Sequence, residues 1–285
     1  MLSSIEDIIL SNDGRGISNL RNGLVENFCT DAASFILQNK GIVVITTGFY
    51  IARAGASETD GPPGAIAIGN ALEDIGYKVV YVSDKYTIQY LSKIKRDNAI
   101  VIEFPISDDD SSKQFANNFL LEYNPNLLIS IERCGFDKTF SYRNMHGVDF
   151  SKYNAKIDYL FNNQINSIGI GDGGNEIGMG KFINKIIETP SLVKYPSLTK
   201  TSLTIISSVS NWGGYGLVAA LSNKIGSNLL ISVEEEIEFI KTIVDMGAVD
   251  GFSGQKQYKV DGFNLQDNSF ALINLHKLVN DTIKN

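Results

Sequence analysis

Residues 171–180 read Gly-Asp-Gly-Gly-Asn-Glu-Ile-Gly-Met-Gly, and they follow a short apolar run at residues 167–170. The run predicts a buried strand and the apolar periodicity of residues 182–187 predicts a helix, so the stretch is predicted to be the turn between them. Its glycines allow positive φ and a close approach of backbone amides to a ligand, while its carboxylates and its asparagine add oxygen ligands. Such a turn suits a small anion, a metal ion or both. The alternative is an ordinary strand-to-helix turn that Asp172 or Asn175 caps.

Five other apolar runs resemble the one before this turn, and segments of helical length separate most of them. The runs are residues 42–45, 79–82, 99–102, 127–131 and 203–206. The helical segments are residues 62–76, 86–95, 113–123, 153–164 and 182–188. This alternation predicts an α/β fold, a mostly parallel sheet of about six strands with helices on both faces in three layers.

The two ends of the chain lack this alternation. Residues 1–40 are predicted to be a helical N-terminal segment, in which a polar turn at residues 13–16 separates two helices. Residues 211–285 are predicted to be mainly helical, with a loop at residues 247–262. A chain of 285 residues with 43% hydrophobic residues is expected to form a single α/β domain over residues 1–285.

Composition narrows the classes of partner and the compartment. The net charge is −7 and no block of Lys or Arg forms a basic stripe, so nucleic acid is not expected as a partner. No apolar run approaches the roughly 20 residues that span a bilayer, and the N-terminus lacks the pattern of a secretory signal, so no membrane is expected. The two cysteines carry no CxxC spacing, which fits a cytoplasmic protein without disulfides. Homo-oligomerisation is possible and stays open.

Polar or glycine-rich residues follow all six predicted strands. In an open parallel sheet, ligands bind beyond the carboxyl ends of the strands, so we expect these residues to gather around one cavity. In chain order they are Thr47 and Gly48 with Glu58 and Asp60, then Asp84, Glu103, Glu132 with Arg133, the turn from Asp172 to Glu176, and finally Asn211, Trp212, Gly213 and Gly214.

So many carboxylates at one edge of a sheet would repel each other at neutral pH unless cations or protons intervened. A divalent ion, Mn²⁺ or Mg²⁺, bound by Glu58, Asp60 and Asp172 is one solution. Carboxyls that share protons at raised pKa, and so serve as general acids and bases, are the other. No Ser/His/Asp triad and no phosphate-binding P-loop can be argued from this sequence.

Two arginines and the tryptophan are further candidates. Arg133 is placed to bind a substrate carboxylate, with a structural ion pair to Glu132 as the alternative. Arg15, in the polar turn near the N-terminus, is taken as a solvated loop arginine, with binding of a carboxylate as the alternative. Trp212 is expected to form a wall of the pocket, and half-burial beneath the sheet is the alternative.

Three strings resemble the D-glutamate cyclase family: residues 58–64 (ETDGPPG), 171–176 (GDGGNE) and 210–215 (SNWGGY). Glu132-Arg133, Tyr142 and Asn144 also match the family, so the resemblance extends over most of the chain. Lys138 and His146 depart from it, because the family pattern has Gly and Arg at these positions. The resemblance implies reversible cyclisation of D-glutamate to 5-oxo-D-proline and water, with a divalent metal such as Mn²⁺ as helper.

Resemblance and placement together predict the site residues. Asp172, Glu176 and Glu132 are the candidate catalytic carboxylates, and Asp172 or Glu176 would take the amine proton of a small anionic amino-acid substrate. The predicted substrate contacts are Thr47, Gly48, Arg133, Tyr142, Asn144, Gly173, Gly174, Asn175, Asn211, Trp212, Gly213 and Gly214. The rival functions are a non-catalytic binder of a small anionic amino acid or nucleotide, and another metal-assisted hydrolase on the same sheet.

Overall fold

The computed structural model describes residues 4–162 and 165–284, and an α/β sheet organises them. Its strands are β1 (Ile42–Thr47), β2 (Tyr50–Ile51), β3 (Ala56–Ser57), β4 (Lys78–Ser83), β5 (Ile100–Glu103), β6 (Leu127–Ile131), β7 (Ser167–Gly171), β8 (Leu203–Ile206), β9 (Lys259–Val260) and β10 (Phe263–Asn264). Six of them form one sheet in the order β5-β4-β1-β6-β7-β8, and every neighbouring pair is parallel. The predicted six-stranded parallel sheet is therefore confirmed.

The strand order fixes where a ligand should bind. Counted along the chain, the six strands of the sheet run 3-2-1-4-5-6, the doubly wound order in which the direction of winding reverses between the first and the fourth strand. Those two strands are β1 and β6, and Thr47 at the end of β1 pairs with Ile131 at the end of β6. Ligands of such sheets bind beyond the carboxyl ends at this reversal.

Helices cover both faces of the sheet. They are α1 (Ile5–Ile9), α2 (Phe28–Gln38), α3 (Pro62–Asp74), α4 (Ile88–Ile94), α5 (Asp109–Tyr123), α6 (Asp158–Phe161), α7 (Ile183–Glu188), α8 (Ser210–Ile225), α9 (Val233–Asp245), α10 (Leu265–Asn268) and α11 (Phe270–Ile283), with short 3₁₀ helices at Ile17–Gly23 and Ser151–Tyr153. Val43 and Ile45 of β1 point into the core under α2, α3 and α8, and Val44 points into the core under α5 and α6. Alternate residues of the strand therefore face helices on opposite sides of the sheet, and helices, sheet and helices form the predicted three layers.

Some predicted elements differ from the structure. The helix predicted over residues 153–164 is replaced by the 3₁₀ helix Ser151–Tyr153 and the short α6, and residues 163 and 164 lie outside the described part of the chain. The hairpins β2–β3 and β9–β10 were not predicted, because two-residue strands carry no measurable periodicity. No helix among the described residues is long and apolar enough to cross a membrane.

Candidate active site

A cavity of about 420 Å³ lies at the carboxyl ends of the strands, beside the reversal between β1 and β6. Seven of the predicted site residues line it: Glu58, Glu132, Asn144, Asp172, Gly173, Asn175 and Glu176. The loops after the first, fourth and fifth strands of the sheet therefore converge on one space, whereas the predicted residues after the second, third and sixth strands do not line it. The other lining residues include Arg15, Phe49, Ile51, Arg53, Met145, His146, Val148, Leu192, Val193 and Phe252.

The glycine-rich turn after β7 binds an anion of its own. The Oε1 atom of Glu176 accepts the backbone N–H of Asp172 at 3.2 Å and of Gly173 at 2.7 Å, and its Oε2 accepts that of Gly174 at 2.7 Å. Gly174 has a φ of 105°, which a side chain rarely tolerates. The turn amides are thus already taken by an internal carboxylate. The expectation that the amides of Gly173 and Gly174 contact substrate does not fit this geometry.

Glu132 lies in an unusual backbone conformation directly after β6. Its φ is 43°, a left-handed value that is costly for a residue with a side chain and is often found at functional sites. Its Oε2 accepts a hydrogen bond of 2.5 Å from the Ser210 hydroxyl, at the start of α8. Burial and the nearby Glu176 carboxylate raise the pKa of Glu132 well above its ordinary value. The Glu132 carboxyl therefore retains a proton to higher pH than an exposed glutamate does.

Glu58 and Asp172 also have raised pKa values. Burial is the largest cause for Glu58, and the carboxylates of Glu132 and Asp261 raise its pKa further. Burial likewise raises the pKa of Asp172, although the Arg15 guanidinium opposes that rise. The cavity thus brings together several carboxyls that cannot all be ionised at once unless a cation joins them.

Arg15 supplies the positive charge inside this cluster. Its guanidinium forms an ion pair with Asp172 and a second one, at 2.9 Å, with Asp261, and its side chain remains 26% exposed. Burial opposes the charged form, but the carboxylates of Asp172 and Asp261 more than offset it and raise the pKa of Arg15. The sequence predicts a solvated loop arginine at position 15, but the ion pairs match the alternative, in which the guanidinium binds a carboxylate, and Asp261 is not among the predicted residues. The one signal in the sequence for a further basic residue in the site is that few cations are predicted there to balance the carboxylates.

Arg133 does not line the cavity. It is 1% exposed, and its Nη1 donates to the Asp84 carboxylate at 2.6 Å and to the Gly48 carbonyl at 3.0 Å. Its Nη2 donates to the Ala155 carbonyl at 2.9 Å. These contacts hold the ends of β1, β4 and β6 together, so the predicted substrate-binding role does not fit this placement. The ion pair is structural, as the alternative proposed, but its partner is Asp84 and not Glu132.

Two predicted aromatic contacts also lie outside the cavity. Trp212 is fully buried, its Nε1 donates to Asn268 at 3.2 Å, and its ring packs against Phe263. Tyr142 is buried and donates its hydroxyl to Asp158 at 2.7 Å. Neither side chain lines the cavity, so the predicted contacts of Trp212 and Tyr142 with a ligand do not fit this placement.

The remaining predicted residues form the frame of the site. The Asp60 carboxylate accepts the backbone N–H of Ser210 and of Asn211, both at 2.8 Å. Burial and the Asp261 carboxylate raise the pKa of Asp60 to about 7. The Asn211 side chain accepts the N–H of Gly61 at 3.0 Å and of Gly64 at 2.8 Å. These contacts join the loop after β1 to the start of α8.

Four further residues serve packing at the same place. Gly214 lies against the backbone of Gly64 where α3 and α8 cross, and a Cβ on Gly214 would lie 3.2 Å from the Gly64 Cα. Gly213 packs against Ser207. Thr47 is buried, and Gly48, with a φ of 106°, packs against Thr87. None of the four lines the cavity.

The carboxylates fit a divalent cation. Two sets bring their oxygens within 4.8 Å of one another, and the sets are Asp60 with Asp172 and Asp261, and Glu132 with Asp172 and Glu176. Asp172 belongs to both, and its Oδ2 atom is buried without a hydrogen-bond partner among the described residues. A buried carboxylate oxygen without a donor is a natural ligand for a hard cation. Glu58, predicted as a ligand, belongs to neither set.

A second concavity of about 690 Å³ lies elsewhere on the molecule. Lys181, Lys185 and Lys200 line it together with Leu203, the first residue of β8. It is therefore at the amino end of that strand, and none of the predicted site residues lines it. Its chemistry differs from that of the acidic cavity, which remains the candidate active site.

Together the fold and the site define an α/β protein with an acidic ligand cavity at the switch point of a doubly wound parallel sheet. The chain belongs to the D-glutamate cyclase-like family, because the model of its C-terminal region (D-glutamate cyclase-like, C-terminal) matches residues 5–276. The human protein D-glutamate cyclase, mitochondrial, is 31% identical over 230 residues, which cover 72% of this chain. The match spans 37% of the length of the human relative.

Proposed function

We propose that the chain catalyses the reversible dehydration of D-glutamate to 5-oxo-D-proline, a lyase reaction. Membership of the family supports this proposal, and so does one feature of the cavity. A guanidinium, that of Arg15, lies among buried carboxyls whose pKa values are raised. This arrangement offers a carboxylate-binding group together with proton donors and acceptors, which ring closure requires. Raised pKa values in a cleft favour a catalyst over a simple binding protein.

The chain's own residues have distinct roles in this proposal. Arg15 binds the α-carboxylate of the substrate, because its two ion pairs leave further N–H donors of the guanidinium available. Asp172, whose carboxylate pairs with the Arg15 guanidinium, accepts a proton from the α-amine so that the nitrogen can attack the γ-carboxyl carbon. Burial and neighbouring carboxylates raise the pKa values of Glu132 and Glu58, so these two are the proton donors of the proposal, and one of them protonates the hydroxyl that leaves as water.

Glu176 has a positioning role. Because its carboxylate is held by three amides of the turn, it fixes the backbone from which the Asp172 side chain extends. It also lies close enough to Glu132 to favour the protonated form of that carboxyl. Folding the substrate back on itself within a fixed cavity lowers the entropic part of the barrier.

A divalent cation, Mn²⁺ or Mg²⁺, is part of the proposal because the residues present fit it. Asp172 would hold it with Asp60 and Asp261, because Glu132 serves as a proton donor in this proposal and the Glu176 carboxylate is held by the turn amides. When bound, it would stabilise negative charge on the carboxyl oxygens of the substrate.

The test is to incubate the purified chain with D-glutamate, L-glutamate and both 5-oxoproline enantiomers, with and without Mn²⁺. Interconversion is followed by chiral chromatography. We expect turnover between D-glutamate and 5-oxo-D-proline in both directions. Absence of turnover for all four compounds under every metal condition would refute the proposal, and turnover of the L enantiomers alone would refute its stereochemistry.

A further inference from the structure

The cavity has an apolar end that glutamate alone would leave empty. Phe49, Ile51 and Phe252 line the cavity and come from the segments that flank Glu58, and they form this end, while Val148 is a further apolar lining residue. Glutamate has roughly ten non-hydrogen atoms, each smaller than the about 30 Å³ of a liquid water molecule, so it fills less than about 300 Å³. The cavity measures about 420 Å³. The remaining space is bordered by hydrocarbon groups, which favour an apolar occupant.

Glu58 adjoins this apolar end. Its backbone N–H donates to the Phe49 carbonyl at 3.0 Å, and its Oε2 lies only 1.8 Å from the place that a Cβ on Gly251 would take. Phe252 follows Gly251 directly. The Glu58 carboxyl therefore lies next to the side chains that form the apolar wall.

Arg15 approaches the cavity from another side. Its neighbour Gly16 packs against Ser191, and Ser191 and Leu192 line the cavity beside Arg15. Phe49 and Phe252 come from the loops on either side of Glu58. A substrate whose α-carboxylate binds Arg15 can therefore extend across the carboxyls, with its γ-carbonyl substituent beside Glu58.

We propose that the apolar end binds the amine portion of γ-glutamyl amides, and that the site converts such amides to 5-oxoproline and a free amine. The inference rests on the proposed function, since it uses the same attack. The α-amine nitrogen bonds to the γ-carbonyl carbon, and the bond between that carbon and the amide nitrogen breaks. The α-amine loses one proton to a carboxylate of the cavity and the departing amine gains one, so no net proton is consumed. Neither water nor a redox partner is consumed.

The apolar wall should make the site prefer amides whose departing amine is large and apolar. A benzyl group that packs against Phe252 and Ile51 is removed from water, whereas a methyl group buries much less surface. Burial of an aromatic ring is typically strong enough to change affinity by about tenfold or more. We therefore expect aromatic or large aliphatic amides of γ-glutamate to be better substrates than the methylamide.

The test compares γ-D-glutamyl benzylamide, γ-D-glutamyl methylamide and D-glutamate with the full chain, and follows 5-oxoproline and the amine by chromatography. We expect kcat/KM for the benzylamide to exceed that for the methylamide by about tenfold. Phe252→Ala should reduce this ratio to near one. Phe252 is 72% exposed, so the variant should fold. Phe140→Ala is the control, because Phe140 is 68% exposed and does not line the cavity, and it should keep the ratio.

The outcomes separate this inference from the proposed function. Turnover of D-glutamate with no turnover of either amide, or with equal kcat/KM for the two, overturns the inference and leaves the proposed function standing. An unchanged ratio in Phe252→Ala also overturns it. Turnover of the benzylamide without turnover of D-glutamate supports the apolar subsite and refutes the cyclase proposal. If no compound reacts, both fail.

Discussion

Asp60 and Asn211 cap each other's helices. The Asp60 carboxylate accepts the first backbone N–H groups of α8, including that of Asn211, and the Asn211 side chain accepts those of Gly61 and Gly64 at the start of α3. Both helices begin at the carboxyl edge of the sheet, so the exchange fixes the distance between the loops after β1 and β8. It satisfies amides that α3 and α8 leave unpaired, and it places Ser210 against Glu132.

Removal of the Asn211 side chain, which caps the start of α3, should destabilise the protein. Asn211→Ala leaves the buried amide of Gly64 without an acceptor, while the amide of Gly61 keeps the Asp60 carboxylate, and an unpaired buried group costs about 1–3 kcal/mol. We expect the free energy of unfolding to fall by about 1–3 kcal/mol in urea denaturation. Asn118→Ala, at an exposed site in α5, is the control and should change the free energy of unfolding by less than about 0.5 kcal/mol. Equal stabilities of the two variants would contradict the capping role.

The sheet and the carboxylates that follow its strands could be predicted from the sequence, because buried parallel strands are continuous apolar runs and ligand-binding groups follow their ends. Arg15 and Asp261 could not, since Arg15 lies in a polar turn near the N-terminus and Asp261 lies in the turn of the β9–β10 hairpin, and neither follows a strand of the sheet. Arg133 and Trp212 are predicted to contact a ligand because both lie beside motif residues in the chain. Both side chains are instead buried.

Arg15→Gln should abolish most activity while the fold persists. The substitution removes the guanidinium that pairs with Asp172 and Asp261, and we expect kcat/KM for D-glutamate to fall by about 100-fold or more, mainly through KM. The Arg15 side chain is partly exposed and the freed carboxyls can take up protons, so the thermal midpoint should change little. Arg21→Gln is the control from the same segment, because Arg21 pairs with Asp7 at the surface. Wild-type kinetics of Arg15→Gln would refute the role given to Arg15.

Arg133→Gln should show the opposite behaviour. Because the ion pair with Asp84 is buried, loss of one partner leaves an uncompensated charge that costs about 3–5 kcal/mol. We expect a lower urea midpoint and, at temperatures where the variant is folded, a KM close to that of the wild type. A variant of normal stability with a greatly raised KM would restore the substrate-binding role that the sequence suggested.

Asp172→Asn should weaken binding of Mn²⁺. Asp172 is common to both carboxylate sets, and its buried Oδ2 has no donor among the residues described. An amide is a weaker ligand for a hard cation than a carboxylate, so we expect the dissociation constant to rise by at least about tenfold in isothermal titration calorimetry. Asp110→Asn, at a fully exposed position in α5, should leave binding unchanged. Equal affinities of the wild type and Asp172→Asn would remove Asp172 from the metal site.

A buried carboxyl behind the site should make stability depend on pH. Glu236 in α9 accepts hydrogen bonds from Asn268 at 2.9 Å and from the Ser269 hydroxyl at 2.5 Å. Burial raises its pKa to about 7 despite these donors, whereas a glutamate in the unfolded chain titrates near about 4.3. The folded state therefore retains a proton that the unfolded state has lost. Stability from this group is present below about pH 4.3 and is lost as pH rises to about 7.

Glu236→Gln mimics the protonated form and should remove this dependence. We expect the free energy of unfolding of the variant, relative to the wild type, to rise by on the order of 3 kcal/mol between pH 5 and pH 8, roughly the linkage value of the shift. Urea denaturation at several pH values measures it. Glu234→Gln, exposed on the same helix, should follow the wild type at every pH. Parallel curves for Glu236→Gln and the wild type would mean that the Glu236 carboxyl does not carry the extra proton, because only a difference in proton binding between folded and unfolded states can make the curves diverge.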